Sequence, residues 1–342
     1  MDHPYKYQSN LAFWSRSVSS NYEPSKILDT DFQLLHPTEK IVSAGSCFAS
    51  NIVPYLQAGG YHYIKTEIDL PAVATSDDNL GYSNFSAKYG FIYTARHLLQ
   101  LYERALGIFV PHEEYWLQDE FYIDPYRPGL KFPSQTIQEF RQITEQHLRL
   151  TREAFESADV FVFTFGLTES WESSVDGAVF PVCPGTVAGE FDASKYVFRN
   201  FSTEDIVSDM NKFMQLLRQN NPSIRFILSV SPVPLVATAT HHHVLPATIY
   251  SKSVLRVAAQ TLAEKSSNVD YFPAYEIITG PQAAGQYFES DFRNVTKEGI
   301  EIVMSTLLGS KIALDRVKVA EISPRGANLI QLECDEAYLD SE

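Results

Sequence analysis

Apolar residues in this chain fall into short unbroken runs separated by amphipathic stretches. Residues 40–44, 159–165, 224–230 and 269–272 read as strands. The second, Val160-Phe161-Val162-Phe163-Thr164-Phe165 after Asp159, suits a strand buried on both faces of a parallel sheet. Helical spacing recurs between them. In 46–57, Phe48, Ile52, Val53 and Leu56 share one face, and Pro54 predicts a kink or a short first helix. Residues 90–106 form a second helix beginning at Thr94, and 134–157 a long one with Ser134 as N-cap. Further helices are predicted at 203–219, stopped by Asn220-Asn221-Pro222, at 251–265, and at 296–308 with Thr296 capping. Residues 107–133 break the pattern with Pro, Gly, Tyr and acidic residues. They read as an insertion over the cleft, with a hairpin around 115–122.

Alternation of strand and helix predicts an α/β fold, a three-layer α/β/α sandwich with a parallel sheet of about five strands. One domain over 1–312 is expected, followed by a C-terminal extension, 313–342, that ends in an acidic tail. No repeat or low-complexity segment interrupts it.

Composition narrows the function. With 44% hydrophobic residues in 342, the chain has ample material for a core. The formal net charge of −15, from 42 acidic and 27 basic residues, opposes nucleic acid and anionic membranes at long range. Three cysteines, Cys47, Cys183 and Cys334, make no disulfide framework and suit a reducing compartment. Met1 to Asn10 is polar, and no run approaches the roughly 20 apolar residues of a membrane span. Cytoplasm is therefore the expectation. No glycine-rich phosphate loop or dinucleotide fingerprint is present, so no cofactor is expected. His241-His242-His243 could ligate a metal, but adjacent side chains on extended chain point opposite ways. A solvated loop is the simpler reading, and no metal site is assigned.

In open parallel sheets, ligands bind beyond the carboxyl ends of the strands. The ends here carry Gly45-Ser46-Cys47, Gly166-Leu167-Thr168-Glu169, Ser231-Pro232 and Pro273-Ala274-Tyr275-Glu276, which should converge on one cleft. Gly45-Ser46-Cys47-Phe48-Ala49 resembles the signature of the GSCFA family, placed among SGNH-hydrolase-like folds. Similar to that family are also His3-Pro4-Tyr5 with Phe13-Trp14, the block from Thr164 to Trp171, Pro181-Val182-Cys183-Pro184-Gly185-Thr186, Ser231-Pro232-Val233-Pro234-Leu235, Tyr250-Ser251-Lys252-Ser253 and Tyr271-Phe272-Pro273-Ala274-Tyr275-Glu276. The likeness covers roughly residues 3–310 and implies fold more firmly than function.

SGNH enzymes carry a Gly-Asp-Ser turn with the nucleophile two residues after the glycine. The resemblance places Gly45 at the glycine, Ser46 at the aspartate and Cys47 at the nucleophile, with Ser46 the alternate. A thiol at a helix N-terminus is favoured as thiolate. The bland alternative is a core Cys47 with Ser46 as N-cap. For the oxyanion, the resemblance implies the amide of Cys47, Gly90, Gly166 and Thr168, the last carrying a hydroxyl where the family pattern has an amide. Asp291 fits the family's aspartate before the last helix, but Asn294 stands at the histidine position, and an amide is no general base. His243 is then the first substitute base and Glu169 the second. Cys47, Gly90, Thr168 and Asp291 should meet at one rim.

The function expected is acyl transfer, as O-acyltransferase or acyl esterase, on a carbohydrate or related hydroxyl substrate, with an acyl-thioester donor conceivable. The alternative is a catalytically silent SGNH-like domain that binds a saccharide or protein partner.

Overall fold

The computed structural model describes residues 2–28, 34–68 and 82–309. In chain order the strands are β1 (Lys40–Gly45), β2 (His62–Tyr63), β3 (Trp116–Gln118), β4 (Phe121–Ile123), β5 (Val160–Phe165), β6 (Glu169–Ser173), β7 (Val179–Phe180), β8 (Tyr196–Asn200), β9 (Arg225–Val230) and β10 (Val269–Phe272). The helices are α1 (Cys47–Ser50), α2 (Ile52–Ala58), α3 (Ala95–Ala105), α4 (Ile137–Ser157), α5 (Thr203–Asn220), α6 (Val244–Lys265), α7 (Ala274–Thr279) and α8 (Lys297–Leu308).

Five strands make the central sheet in the order β10-β9-β5-β1-β2, and every neighbouring pair is parallel. All six residues of β5 are buried, as expected for a strand covered on both faces. Alternation along it explains the three layers. Phe161, Phe163 and Phe165 enter the core shared with α3, α4, α5 and α6. Val160 and Val162 enter the opposite core, built with α1, α2, α7 and α8. On the first side, Phe161 meets Phe155 of α4 at 4.9 Å between ring centroids and Phe213 of α5 at 5.2 Å, both edge to face. That geometry suits the ring quadrupole.

The order of strands fixes where a crevice can form. From β1 the chain moves to one side, to β2; from β5 it moves to the other, through β9 to β10. The winding direction therefore switches between β1 and β5, where the first turns of both strands leave a crevice at their carboxyl ends.

Several predicted boundaries shift. The pattern over 46–57 divides at Asn51 into α1 and α2, because Pro54 has no N–H to offer the Ser50 carbonyl. Helix α4 starts at Ile137 with Thr136 as cap, its side chain accepting from the Glu139 amide. Ser134 is instead paired with Tyr122 by reciprocal backbone hydrogen bonds of 2.8 and 3.1 Å, which carry the chain past the hairpin before the helix begins. Helix α6 begins at Val244, not near Ser251. Residues 107–133 give no strand to the central sheet. Its hairpin, β3 with β4, leads into a small core where Trp116 and Tyr126 pack on Phe180 of the antiparallel sheet β7-β6-β8. That second sheet, between β5 and α5, was not predicted. The extension 313–342 and its acidic tail lie outside the described residues.

Candidate active site

A cleft of about 230 Å³ opens at the switch between β1 and β5. Its floor begins at Gly45, whose φ of +145° belongs to glycine alone. A Cβ there would collide with the Thr164 carbonyl oxygen of β5, so the close approach of the two strands also demands glycine. The Ser46 amide then donates to that same oxygen at 3.2 Å, and the chain turns into α1 with Cys47 as its first residue.

Ser46 and Cys47 both line the cleft. Ser46 is 2% exposed, makes no capping bond, and its buried hydroxyl has no hydrogen-bond partner. Such an orphaned hydroxyl is costly in a folded protein. Cys47 is half-buried, outside any disulfide, and packs against the core beneath.

Opposite them, Gly166 leaves β5. A Cβ on Gly166 would sit 2.9 Å from the Tyr93 ring and 3.1 Å from the Ser46 Cβ, so this glycine too is required by close approach. Its amide donates to the Tyr93 carbonyl at 2.9 Å, while Ile92 donates to the Gly45 carbonyl at 2.8 Å. The 91–93 segment thus stitches the ends of β1 and β5 together. The Gly166 carbonyl accepts from the Lys252 ammonium at 2.5 Å. Leu167, Val233, Pro234 and Leu235 supply apolar walls, and Ser231 at the end of β9 completes the rim.

Lys252 is the residue that sequence reasoning missed. It is 1% exposed and lines the cleft from α6. The signal was present: 252, 255, 259 and 262 share the buried stripe of that helix. A helix starting at 251 would have put Lys252 in a solvated first turn. The true start at Val244 places it two turns inside, on the core face.

The remaining predicted residues are placed elsewhere. Gly90 has φ +69°, and a Cβ there would press on the Tyr82 ring at 2.7 Å, which accounts for the glycine by packing. Thr168 is buried, its amide donating to Ser251 Oγ at 3.0 Å and its hydroxyl to Asn200 Oδ1 at 2.7 Å. With the Gly166 amide already on Tyr93, neither Gly166 nor Thr168 offers the expected donor to an oxyanion. Glu169 accepts from the Thr238 hydroxyl at 2.6 Å and the Ala239 amide at 3.1 Å, clamping the loop after β9. His243 is exposed and caps α6, its Nδ1 accepting from the Leu245 amide at 3.1 Å.

Asp291 is exposed and accepts from the Arg293 and Asn294 amides, both at 2.9 Å, and from Asn294 Nδ2 at 2.5 Å. Partial burial by itself would raise its pKa, but those hydrogen bonds outweigh burial and hold the carboxyl below its usual range. Asp291 and Asn294 form a closed turn before α8. Of the four residues expected at one rim, Cys47 alone lines the cleft. No histidine and no carboxylate is among the lining residues. Among the described residues no group of three His, Cys, Asp or Glu could hold a metal ion, and no helix is long and apolar enough to cross a membrane.

The sequence profile described as the GSCFA family matches residues 40–307, from the first residue of β1 to the end of α8. No curated protein matches the chain. Among solved structures, similar chains include an acetyl esterase variant with acetate ion, at 10% identity and TM-score 0.33, covering 87% of this chain and 99% of that one. A carbohydrate esterase family 3 protein from Talaromyces cellulolyticus has 9% identity, TM-score 0.34 and the same two coverages. An acetyl xylan esterase from the rumen bacterium Butyrivibrio proteoclasticus has 12% identity and TM-score 0.26, covering 70% of this chain and 56% of that one.

Proposed function

The chain belongs to the GSCFA family, and we propose that it performs acyl transfer at the β1–β5 cleft with Cys47 as nucleophile. The observation that carries this reading is the pairing of a half-buried thiol with a narrow, apolar-walled cleft at the switch point of a parallel sheet. The Cys47 sulfur attacks the carbonyl of an acyl ester or thioester; the carbon–sulfur bond forms and the leaving alkoxide or thiolate departs with a proton. A hydroxyl or water then cleaves the enzyme thioester and returns the sulfur. Deprotonated thiolate is the attacking species, which lessens the demand for a histidine base. In this reading the Cys47 amide is the oxyanion donor, while the amides of Gly166 and Thr168 hold Tyr93 and Ser251. The acceptor is a carbohydrate or related hydroxyl.

A second reading is a catalytically silent domain that binds a saccharide or protein partner. It is favoured by the absence of histidine and carboxylate from the lining and by Asn294 where SGNH enzymes carry histidine. One experiment separates the two. The protein is incubated with p-nitrophenyl acetate and the acetyl adduct is mapped by mass spectrometry, for the natural sequence, Cys47→Ala and Ser46→Ala. Acyl transfer at Cys47 requires an adduct on that residue and loss of turnover in Cys47→Ala. An adduct on Ser46 moves the nucleophile by one residue. No adduct, with unchanged background hydrolysis in all three, leaves the silent domain.

A further inference from the structure

Two consecutive side chains of α6 hold the strap that leaves β5. Ser251 Oγ accepts the Thr168 amide at 3.0 Å, and Lys252 Nζ donates to the Gly166 carbonyl at 2.5 Å. Both residues are 1% exposed. A serine suffices for the first tie. The second uses a lysine, whose removal from water is expensive unless the charge is used or matched. Gly166 also brings the lysine to the nucleophile turn. Its Cα lies against the Ser46 side chain while its carbonyl holds Nζ, so one residue spans the gap from α6 to the β1 turn. Cys47, Tyr93 and Lys252 are the titratable side chains lining the cleft, and Lys252 is the cationic one.

We propose that Lys252 is the proton carrier of the cleft, supplying the base that Asn294 cannot. This rests on the acyl-transfer reading above. In the resting enzyme Lys252 already holds the proton given up by Cys47, and the thiolate attacks the acyl carbonyl. Lys252 gives that proton to the departing oxygen when the carbon–oxygen bond breaks. In the second half it accepts the proton of the incoming hydroxyl, whose oxygen bonds the acyl carbon as the carbon–sulfur bond breaks. The thiolate is regenerated with Lys252 protonated beside it, and no outside oxidant or co-reactant is needed. The ammonium also stabilises the resting thiolate, the role that a neighbouring cation commonly plays for reactive cysteines. The bond to Gly166 sets where Nζ sits.

The test uses iodoacetamide labelling of Cys47 against pH, together with p-nitrophenyl acetate turnover, on the natural sequence, Lys252→Met and Lys252→Arg. Methionine keeps the aliphatic stem and removes the charge and donors. Arginine keeps a cation that does not surrender its proton. The expected result for Lys252→Met is a labelling midpoint at least about one pH unit higher, so that labelling at neutral pH slows roughly tenfold, following the thiolate fraction. For Lys252→Arg, labelling stays within about threefold of the natural protein while turnover falls by about 100-fold or more, the scale of lost general acid–base catalysis. A purely structural tie would leave the Lys252→Met midpoint unmoved in protein that folds, and this result overturns the proposal. Should Lys252→Met not fold, Lys252→Arg decides, and turnover at the natural level overturns it. A natural Cys47 that resists labelling below about pH 8 overturns the acyl-transfer reading, and this inference falls with it.

Discussion

Replacing Gly45 by alanine tests the close approach on which the cleft is built. Two costs add. The backbone at φ +145° is one that side-chain-bearing residues avoid, worth roughly 1–3 kcal/mol. The new methyl group must also displace backbone, for it collides with the Thr164 carbonyl and lies 3.0 Å from the Thr164 nitrogen and 3.1 Å from the Ala49 Cβ. Moving β1 away endangers the Ser46-to-Thr164 and Ile92-to-Gly45 hydrogen bonds, each worth about 1 kcal/mol net. The sum is about 4 kcal/mol. Gly60→Ala is the matched control. Its φ is +75° and nothing lies within 4 Å of the added Cβ, so only a conformational cost of about 1 kcal/mol applies. Urea unfolding followed by circular dichroism measures both variants, with an unchanged m-value confirming that stability alone has moved. A Gly45→Ala loss no larger than that of Gly60→Ala would refute the argument, because the strand contact would then cost nothing to open.

Other predictions concern the core and its protonation. Burial first, and then the Arg104 charge, push the His97 imidazole down to about 3, and burial also lowers His147. Both rings are therefore neutral in the fold yet take a proton near pH 6.5 when unfolded. Their contribution is intact above that pH and is lost as pH falls below it. Urea midpoints at pH 7.5 and 5.5 should reveal a loss of about 1 kcal/mol from His97 alone, and a His97→Gln variant that keeps the full loss would contradict this. Burial raises the Cys183 thiol to about 11, so iodoacetamide at neutral pH should label Cys47 well before Cys183; the reverse order in a peptide map would count against the cleft as the reactive site. Phe213→Ala removes a ring packed against Phe155, Phe161 and Tyr102 and should cost about 3–5 kcal/mol in thermal or urea unfolding. A loss below about 1 kcal/mol would mean that α5 collapses onto the gap. Ser202→Ala removes the arm of the α5 capping box in which Ser202 Oγ accepts from the Asp205 amide, keeps the Ser202 amide bond to the Asp205 carboxylate, and should cost about 1 kcal/mol in the same assay, whereas no change would show the hydroxyl to be dispensable.

What the chain determines locally was readable from it. Short apolar runs marked β1, β5, β9 and β10, because one strand's burial is written in its own side chains. The turn at Gly45 was legible for the same reason: a glycine between an apolar strand and a helical pattern has few other uses. Thr94 and Thr296 were legible as caps, since a cap bonds within its own turn. The sheet β7-β6-β8 was not, because its strands are short and stabilised by pairing with segments up to 31 residues away. The site divides along the same line. Ser46, Cys47 and Gly166 sit at strand ends that topology must gather, and they do line one cleft. His243 and Glu169 were chosen by chemistry and chain reach, but reach permits a meeting without enforcing one. The His243 ring is committed to the α6 cap, and Glu169 to the loop at 238–239. Lys252 shows the converse. Its lysine code suggests solvent, and only the packing of α6 on the end of β5 buries it against Gly166, a contact between residues 86 positions apart that no local pattern carries.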